Sequence, residues 1–482
     1  MSLLGLSSEL LYAIASNLVP SMEDDTGSFD PDPDIRRCRL ALLSLAKAGN
    51  HTLRDITIPH LYHTICIHDL RCLFDFLHTL VYHPHLADFV RILNLATSLD
   101  DRLDDETDAK SEALYRGITP DMKAFPSVQL CFGEDETEIC WDNVVDFAEI
   151  SFGLILCLTT KLQSLHLHLP NWNAGDCDSL AGVFESAYAE APDGFLPRLS
   201  RLALTADPRA DDPLLPEKTP HCFMGPQGNI KYLELFGANL MEDEAVADKP
   251  EKWRGLETIH VSYAHTTGNW WYKLCSKAWP ELKSVDISIS PYFGEGAIDG
   301  AGYNEAFALC TESLECLKLD FDYGGDYSSH LGPRKRLDCL SKMKKLNRLE
   351  VSVTALFTAR MAIETVNICD VLPASLEEVC LRDDVADPWS DMVDREPMEG
   401  ETTEWTAELL EKEHSKLVER SLLQLVLENE AKLPRLRQVR VIVNQKPWKF
   451  DTRHLEGLLV EETSTRAQST IVTVTRCPRQ SW

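Results

Sequence analysis

A short apolar phrase recurs along most of this chain and limits the folds that the chain can adopt. The phrase has the form L-x-x-L-x-L, and other aliphatic residues also fill its apolar positions. It begins at residues 90, 162, 199, 230, 256, 282, 314, 346, 376 and 436. From residue 199 to residue 376, successive phrases begin 31, 26, 26, 32, 32 and 30 residues apart. A fixed phrase at such intervals predicts repeated units, each with one short strand and one return segment.

The segments between the phrases predict how the strands are joined. Several of them have a helical pattern: residues 178–191, 269–279, 303–310, 335–345 and 403–433. Strand and helix in alternation predict an α/β solenoid, with parallel strands on its concave side and helices on its convex side. The last two apolar positions of each phrase are expected to point into the core, and the first to fill the turn before the strand. Phrase and spacing are typical of leucine-rich repeats.

Two gaps between phrases are long and carry acidic inserts. The inserts lie at about 98–112 and 382–405. Their high charge and few aromatic residues predict mobile loops on the array. We therefore expect three parts in the chain: an N-terminal domain (1–65), a helical linker (66–88) and an irregular repeat array (89–475).

The chain before the first phrase has a helical pattern. Ser7 precedes a run in which four apolar residues share one stripe, and this predicts a serine-capped amphipathic helix: Leu10, Leu11, Ile14 and Leu18. A second helical pattern covers 37–56, Pro59 is expected to stop helix, and alternation predicts a strand over 61–67. A further helix is predicted over 70–86. The stripe of the first helix can cover the chain's own core or serve a partner.

Three stretches of this region occur in a characteristic order: LSSELLYAIASNLV, then LALLSLAKAGNHTLRDI, then PHLYHTI. Together they resemble the F-box domain, in the form found at the N-terminus of fungal proteins that continue as leucine-rich repeats. The residues that match the family pattern are Leu6, Glu9, Leu10, Ile14 and Leu18 in the first helix and Leu42, Leu45 and Ala46 in the second. Ser7 stands where the family usually has proline, no tryptophan follows the second helix, and residues 23–34 are an insert.

The resemblance implies a substrate-recognition subunit of an SCF-type ubiquitin ligase. In such proteins the F-box binds the Skp adaptor, which bridges to a cullin and its RING subunit, and the repeats hold a protein target. Ubiquitin transfer takes place on other subunits, so no enzyme activity is expected of this chain. The implied adaptor-binding residues are Leu6, Leu10, Leu11, Ile14, Leu18, Leu42 and Leu45. The alternative is a repeat scaffold with a degenerate F-box and no ligase role.

The target of such a receptor is expected to lie against the strands. Alternation along a strand places the residues between and after the inward leucines on the opposite side from the core. The candidates are His166, His168, Glu234, Phe236, His260, Asp286, Lys318, Asp320, Glu350 and Arg382. Their mixed chemistry does not identify the target.

The composition narrows the partners and the compartment. The formal net charge is −30, which repels phosphate, so neither nucleic acid nor an anionic membrane is expected as a partner. The 15 cysteines are scattered and form no CxxC, which predicts reduced thiols in the cytoplasm or nucleus. The most apolar run, residues 152–158, is too short to cross a bilayer.

The sequence has no motif typical of a cofactor site, a metal site or a catalytic nucleophile. Seven of the 15 histidines lie between residues 51 and 85, but their spacing fits no zinc site. Asp30 begins a calcium-like run, yet Ile35 and Ala41 occupy the positions that need Gly and Glu. Neither GxxxxGK[ST] nor GxSxG occurs. We therefore expect a binding protein that uses no cofactor and no metal.

Overall fold

The computed structural model describes about half of the chain, in segments that contain the repeated phrases. These are residues 6–18, 33–95, 144–169, 195–206, 229–240, 253–266, 268–278, 281–289, 300–321, 337–352, 367–383, 432–444 and 471–477, with 184, 188, 356, 420, 421 and 423–425. Contacts group the chain into two compact units, Met1–Ile230 and Lys231–Trp482. The predicted insert at 98–112 and most of the insert at 382–405 lie outside the described residues.

The first unit begins with three helices, here called the head: α1 (Ser8–Asn17), α2 (Pro33–Ala46) and α3 (His51–His63). Both α1 and α2 pack against α3. Ser7 caps α1 as expected, because its hydroxyl accepts a hydrogen bond from the backbone N–H of Leu10 at 3.4 Å.

The predicted helix over 37–56 is wrong in one respect, because it is broken between α2 and α3. Gly49 adopts a φ of +72°, a left-handed conformation that ends helices and that glycine adopts without steric cost. Asn50 then caps α3 by accepting a hydrogen bond from the N–H of Leu53 at 3.1 Å. Residues 47–50 are therefore a turn between two helices.

Pro59 does not stop the helix, which corrects the prediction of a strand from residue 61. It lies inside α3, and the strand begins only at Thr64. Proline removes one N–H donor from a helix. Here the buried side chains of Leu53 and Thr57 and the contacts of α3 with both other head helices keep the backbone helical.

Four parallel strands follow in the first unit: β1 (Thr64–Ile67), β2 (Ile92–Leu95), β3 (Ser164–Leu169) and β4 (Arg201–Ala206). The helix predicted over 70–86 is α4 (Leu70–Tyr82), and a 3₁₀ helix (Pro84–Phe89) continues to β2. Helix α5 (Val144–Leu158) leads into β3 and contacts α4.

The second unit carries a longer parallel sheet. Its strands are β5 (Tyr232–Phe236), β6 (Asn239–Leu240), β7 (Thr258–Thr266), β8 (Ser284–Ile289), β9 (Cys316–Phe321), β10 (Arg348–Ser352), β11 (Glu378–Asp383), β12 (Gln438–Asn444) and β13 (Ile471–Cys477). They pair in chain order, except that β6 pairs only with the end of β7. Arg382 and Asp383, predicted to begin an insert, instead complete β11.

Register brings equivalent phrase positions side by side. From β5 to β12 the fourth phrase residues form one row: Leu233, Ile259, Val285, Leu317, Leu349, Val379 and Val439. All seven are buried, as are the sixth phrase residues in the next row on the same side. The first phrase residues of this unit, from Leu256 to Leu436, are buried too. The α/β class, the parallel strands and the inward positions are thereby confirmed.

The return segments differ in regularity. The predicted helices at 269–279 and 303–310 are α6 (Gly268–Ala278) and α7 (Gly300–Ala308), which pack against each other. In the described part of the segment 335–345, residues 337–345, there is no α-helix. It forms only a 3₁₀ turn (Leu340–Lys342), and Met343 is already extended three residues before the next phrase. A short helix α8 (Ile368–Val371) precedes β11. The other predicted helices, 178–191 and 403–433, lie mostly outside the described residues.

Candidate protein-binding surfaces

Apolar side chains of the head point away from its core. Leu10 is 54% exposed, Tyr12 55% and Ile14 37% on α1, while Leu40 and Leu43 are exposed on α2. We call these five residues the head surface. Among the described residues, seven large apolar side chains are exposed, and five of them belong to this set. Leu10 and Ile14 are four residues apart, so they share one side of α1.

The structure separates the seven predicted adaptor-binding residues into three groups. Leu10 and Ile14 are exposed. Leu6, Leu18 and Leu45 are half-buried. Leu11 and Leu42 are buried in the chain's own core and leave the candidate surface, because a partner cannot reach them without unpacking the head.

Polar and aromatic contacts fix the head helices in place. The Tyr12 and His60 rings lie 4.8 Å apart, and Ser16 Oγ is 3.5 Å from His60 Nε2, so α1 is tied to α3. Arg39 of α2 donates a hydrogen bond to the carbonyl of Thr64 at 3.3 Å, which ties α2 to the start of β1. Burial lowers the pKa of His60. The pKa of His63 is lowered by burial and by the positive charge of Arg91 and His60.

The second unit has a polar face on β5–β12, on the side of the sheet opposite the buried leucines. Its central row consists of the fifth phrase residues, which register places opposite one another: Glu234, His260, Asp286, Lys318, Glu350, Cys380 and Arg440. Lys318 Nζ lies 3.2 Å from Asp286 Oδ2, and His260 Nε2 lies 3.5 Å from the same oxygen. Within this row, the Lys318 side chain thus stands between two carboxylates, Asp286 on one neighbouring strand and Glu350 on the other.

A second ionic cluster lies beside this row. The Arg382 guanidinium pairs with Asp320 and, at 3.3 Å, with Glu350 Oε1. The Arg382 and Asp320 side chains are only 16% exposed. Burial alone would lower the pKa of Lys318, but the carboxylates of Asp286, Glu350 and Asp320 outweigh burial and raise it. The cations and carboxylates of this face therefore lie close enough to pair with one another.

The polar face contains a depression between β9 and β12. Its volume is about 200 Å³, and it is lined by Cys316, Lys318, Arg348, Glu350, Glu378, Cys380, Gln438 and Arg440, together with Leu317, Leu349 and Val379. Six of these were not among the predicted site residues: Cys316, Arg348, Glu378, Cys380, Gln438 and Arg440. Alternation would have found them, because Cys380 and Arg440 are the fifth residues of their phrases and the other four are the third residues, two positions earlier on the same side of the strand.

The remaining predicted target-binding residues have different surroundings. Glu234 and Phe236 are half-buried on β5, and Glu234 accepts a hydrogen bond from the Tyr232 hydroxyl at 3.2 Å. His166, in the first unit, lies 3.0 Å from the Thr205 hydroxyl on β4. His168 is 7% exposed, which removes it from the surface that a target can contact.

Within the described residues, no group of His, Cys, Asp and Glu side chains is arranged to hold a metal ion. None of the described helices has the length and hydropathy needed to cross a membrane. In comparisons with known proteins, no family model matches the chain and no curated protein matches it.

Proposed function

We propose that this chain is the substrate receptor of an SCF-type ubiquitin ligase, with an F-box head that binds a Skp-type adaptor and leucine-rich repeats that bind a protein target. The head surface is the observation that carries this proposal. Its exposed leucine and isoleucine side chains lie on helices whose opposite sides are buried against α3. Apolar side chains gathered on one small domain are typical of a protein-binding site.

The head and the repeats supply different parts of this function. In the proposal, the adaptor covers the exposed Leu10 and Ile14, and the target binds the polar face of the second unit. The receptor acts by holding its target near a ubiquitin-charged enzyme, which raises the effective concentration of the target's lysines. This role needs no catalytic group in the chain itself.

Ser7 bears on the alternative, a scaffold with a degenerate head. The serine replaces the proline usual in F-box domains, but it caps α1 and so supports the same helix start. The replacement therefore does not disrupt the helix that carries Leu10 and Ile14. This observation favours a functional head over a degenerate one.

The first prediction tests adaptor binding. Full-length protein co-expressed with a Skp-type adaptor is expected to co-purify with it, and the double variant Leu10→Asp, Ile14→Asp to bind about a hundredfold more weakly. Burying a fully exposed side chain of this size contributes roughly 1.5–3 kcal/mol to the free energy of binding. The aspartate variants lose this contribution, and binding must in addition remove water from their carboxylates.

The control is the double variant Tyr82→Asp, Tyr272→Asp, which alters two exposed aromatic side chains outside the head. It should bind like the wild type, and circular dichroism should show all three proteins folded. A folded wild type that does not bind the adaptor would leave the scaffold as the better description. Equal binding by both double variants would place the adaptor elsewhere on the chain.

A further inference from the structure

The depression between β9 and β12 has the size of a side chain. Its volume of about 200 Å³ is below the roughly 300–1,000 Å³ typical of pockets for small molecules. Its lining comes from four neighbouring strands and includes five charged side chains and the amide of Gln438. Such a depression suits one projecting side chain of a partner better than a separate ligand.

Ion pairs within the sheet account for every charge of the lining except one. Lys318 pairs with Asp286 at 3.2 Å, Arg348 with Glu378 at 3.3 Å, and Glu350 with Arg382 at 3.3 Å. In the part of the chain that the structure describes, the exposed Arg440 guanidinium has no ion pair and no hydrogen bond. The lining therefore carries three cations against two carboxylates, although the whole chain is strongly acidic.

The groups beside Arg440 define what this extra charge can recognise. Gln438 lies two residues earlier on β12, so its amide shares the polar face and adds a neutral hydrogen-bond donor. Burial raises the pKa of the Cys316 thiol, which keeps it uncharged. A guanidinium binds a carboxylate through two parallel hydrogen bonds. The nearby Glu350 and Glu378 carboxylates disfavour a guest with a second negative charge, such as a phosphate monoester.

We propose that this depression binds an aspartate or glutamate side chain of a protein partner, with Arg440 supplying the ion pair and Gln438 an additional hydrogen bond. The inference rests on the proposed function to the extent that the repeats hold a target. It adds the chemistry of that target: an acidic segment presented to β9–β12.

The test uses full-length protein and capped 12-residue peptide pools, labelled with fluorescein. Each pool has random flanks and one fixed central residue: Asp, Glu, Asn, Gln or phosphoserine. By fluorescence anisotropy, the Asp or Glu pool should bind wild type about tenfold more tightly than the matching amide pool. Arg440→Gln should abolish that difference.

The matched control is Arg437→Gln, which makes the same change of charge three residues earlier. Arg437 is 76% exposed and does not line the depression, so this variant should keep the preference for acidic peptides. Glu378→Gln, which releases Arg348 from its ion pair, should bind acidic peptides more tightly. If Arg440→Gln does not fold, Arg440→Lys is the second variant. It keeps the positive charge but not the planar guanidinium with its paired donors, so it should retain only part of the preference for acidic peptides.

Other outcomes would overturn the proposal. Equal binding of acidic and amide pools by wild type would remove it, as would an acidic preference that survives Arg440→Gln. Tighter binding of the phosphoserine pool, lost in Arg440→Gln, would assign the site to phosphate. If the protein binds the adaptor but shows no preference for acidic peptides, this inference alone is wrong. If it prefers acidic peptides through Arg440 but does not bind the adaptor, only the proposed ligase role is wrong.

Discussion

Arg382 shows how single residues hold the polar face together. Its guanidinium compensates Asp320 and Glu350, two carboxylates on different strands, and all three side chains are less than a quarter exposed. Removing one partner of a buried ionic cluster leaves uncompensated charge in a medium of low polarity. We predict that Arg382→Met lowers the free energy of unfolding by roughly 2–3 kcal/mol in urea titrations.

Two further variants test whether the uncompensated charge causes the loss of stability in Arg382→Met. Arg437→Met removes a guanidinium from an exposed site and should change the unfolding free energy little. Adding Asp320→Asn to Arg382→Met should recover part of the loss, since only one carboxylate then stays uncompensated. An equal loss in Arg382→Met and Arg437→Met would contradict the role given to the cluster.

His60 and His63 make the head sensitive to acid. Burial lowers the pKa of both histidines below the ordinary value of 6.5, so the folded head favours their neutral forms. Below about pH 6.5 the unfolded chain binds protons that the folded head does not, and stability is lost as the pH falls.

Hydrogen exchange of the α3 amides should therefore be faster at pH 5.5 than at pH 7.5, after correction for intrinsic rates. His60→Gln with His63→Gln should weaken this dependence, and unchanged sensitivity in that variant would assign it to other groups.

At the scale of elements, α6 and α7 meet at two glycines. A Cβ atom on Gly268 would lie 2.6 Å from the Gly302 Cα, and one on Gly302 would lie 2.7 Å from the Gly268 Cα. Because both neighbours are backbone atoms, the helices must separate to admit a methyl group. Trp270, Trp271 and Phe307, which pack around this crossing, would lose contact.

We predict that Gly268→Ala and Gly302→Ala each lower the unfolding free energy by about 1–3 kcal/mol, although alanine favours helices. Ser276→Ala, on the exposed side of α6, is the control and should be close to neutral. Thermal unfolding of the full chain measures all three. If the glycine variants are as stable as the control, the two helices are not in close contact at this crossing.

Local sequence predicted the elements better than it predicted their ends. The phrase placed the strands because each strand must bury the same two alternate positions, whatever connects them. The end of α2 was missed although Gly49 and Asn50 are strong signals, since the helical pattern continues on both sides. The prediction that Pro59 ends the helix was wrong, because the packing of α3 against two helices outweighs the one hydrogen bond that proline removes.

The site was harder to predict because it depends on which side each helix presents. Leu10, Leu11, Ile14 and Leu18 form one stripe in sequence, yet only contact with α3 decides that Leu11 is buried and Leu10 exposed. On the polar face, alternation identified five of the seven residues of the central row, but Cys380 and Arg440 were not among the candidates. Which of those charges are already paired depends on neighbouring strands, and register between them is a property of the fold.

At the scale of the whole molecule, the order of the phrases in the chain became the order of strands in each unit. Between residues 199 and 376 this order follows from the regular spacing, because short return segments bring each strand beside the previous one. The order also holds across the two long gaps, where β2 pairs with β3 and β11 with β12. The grouping of the head with β1–β4 in one compact unit, Met1–Ile230, has no counterpart in the spacing of the phrases. It depends on contacts such as that of Arg39 with the carbonyl of Thr64.

The uniform register of the second unit gives its polar face a length scale. Parallel strands lie about 4.8 Å apart, so the row from Glu234 to Arg440 presents a side chain at each such step over about 29 Å. An extended peptide crossing the strands advances about 3.4 Å per residue, and four of its residues cover nearly the same distance as three strands. The two periods coincide only at about every fourth residue of the peptide. A partner lying straight across this face would thus contact it through every fourth residue. Insertion of one residue between two of these contact residues would move the second one away from the strand that it contacts.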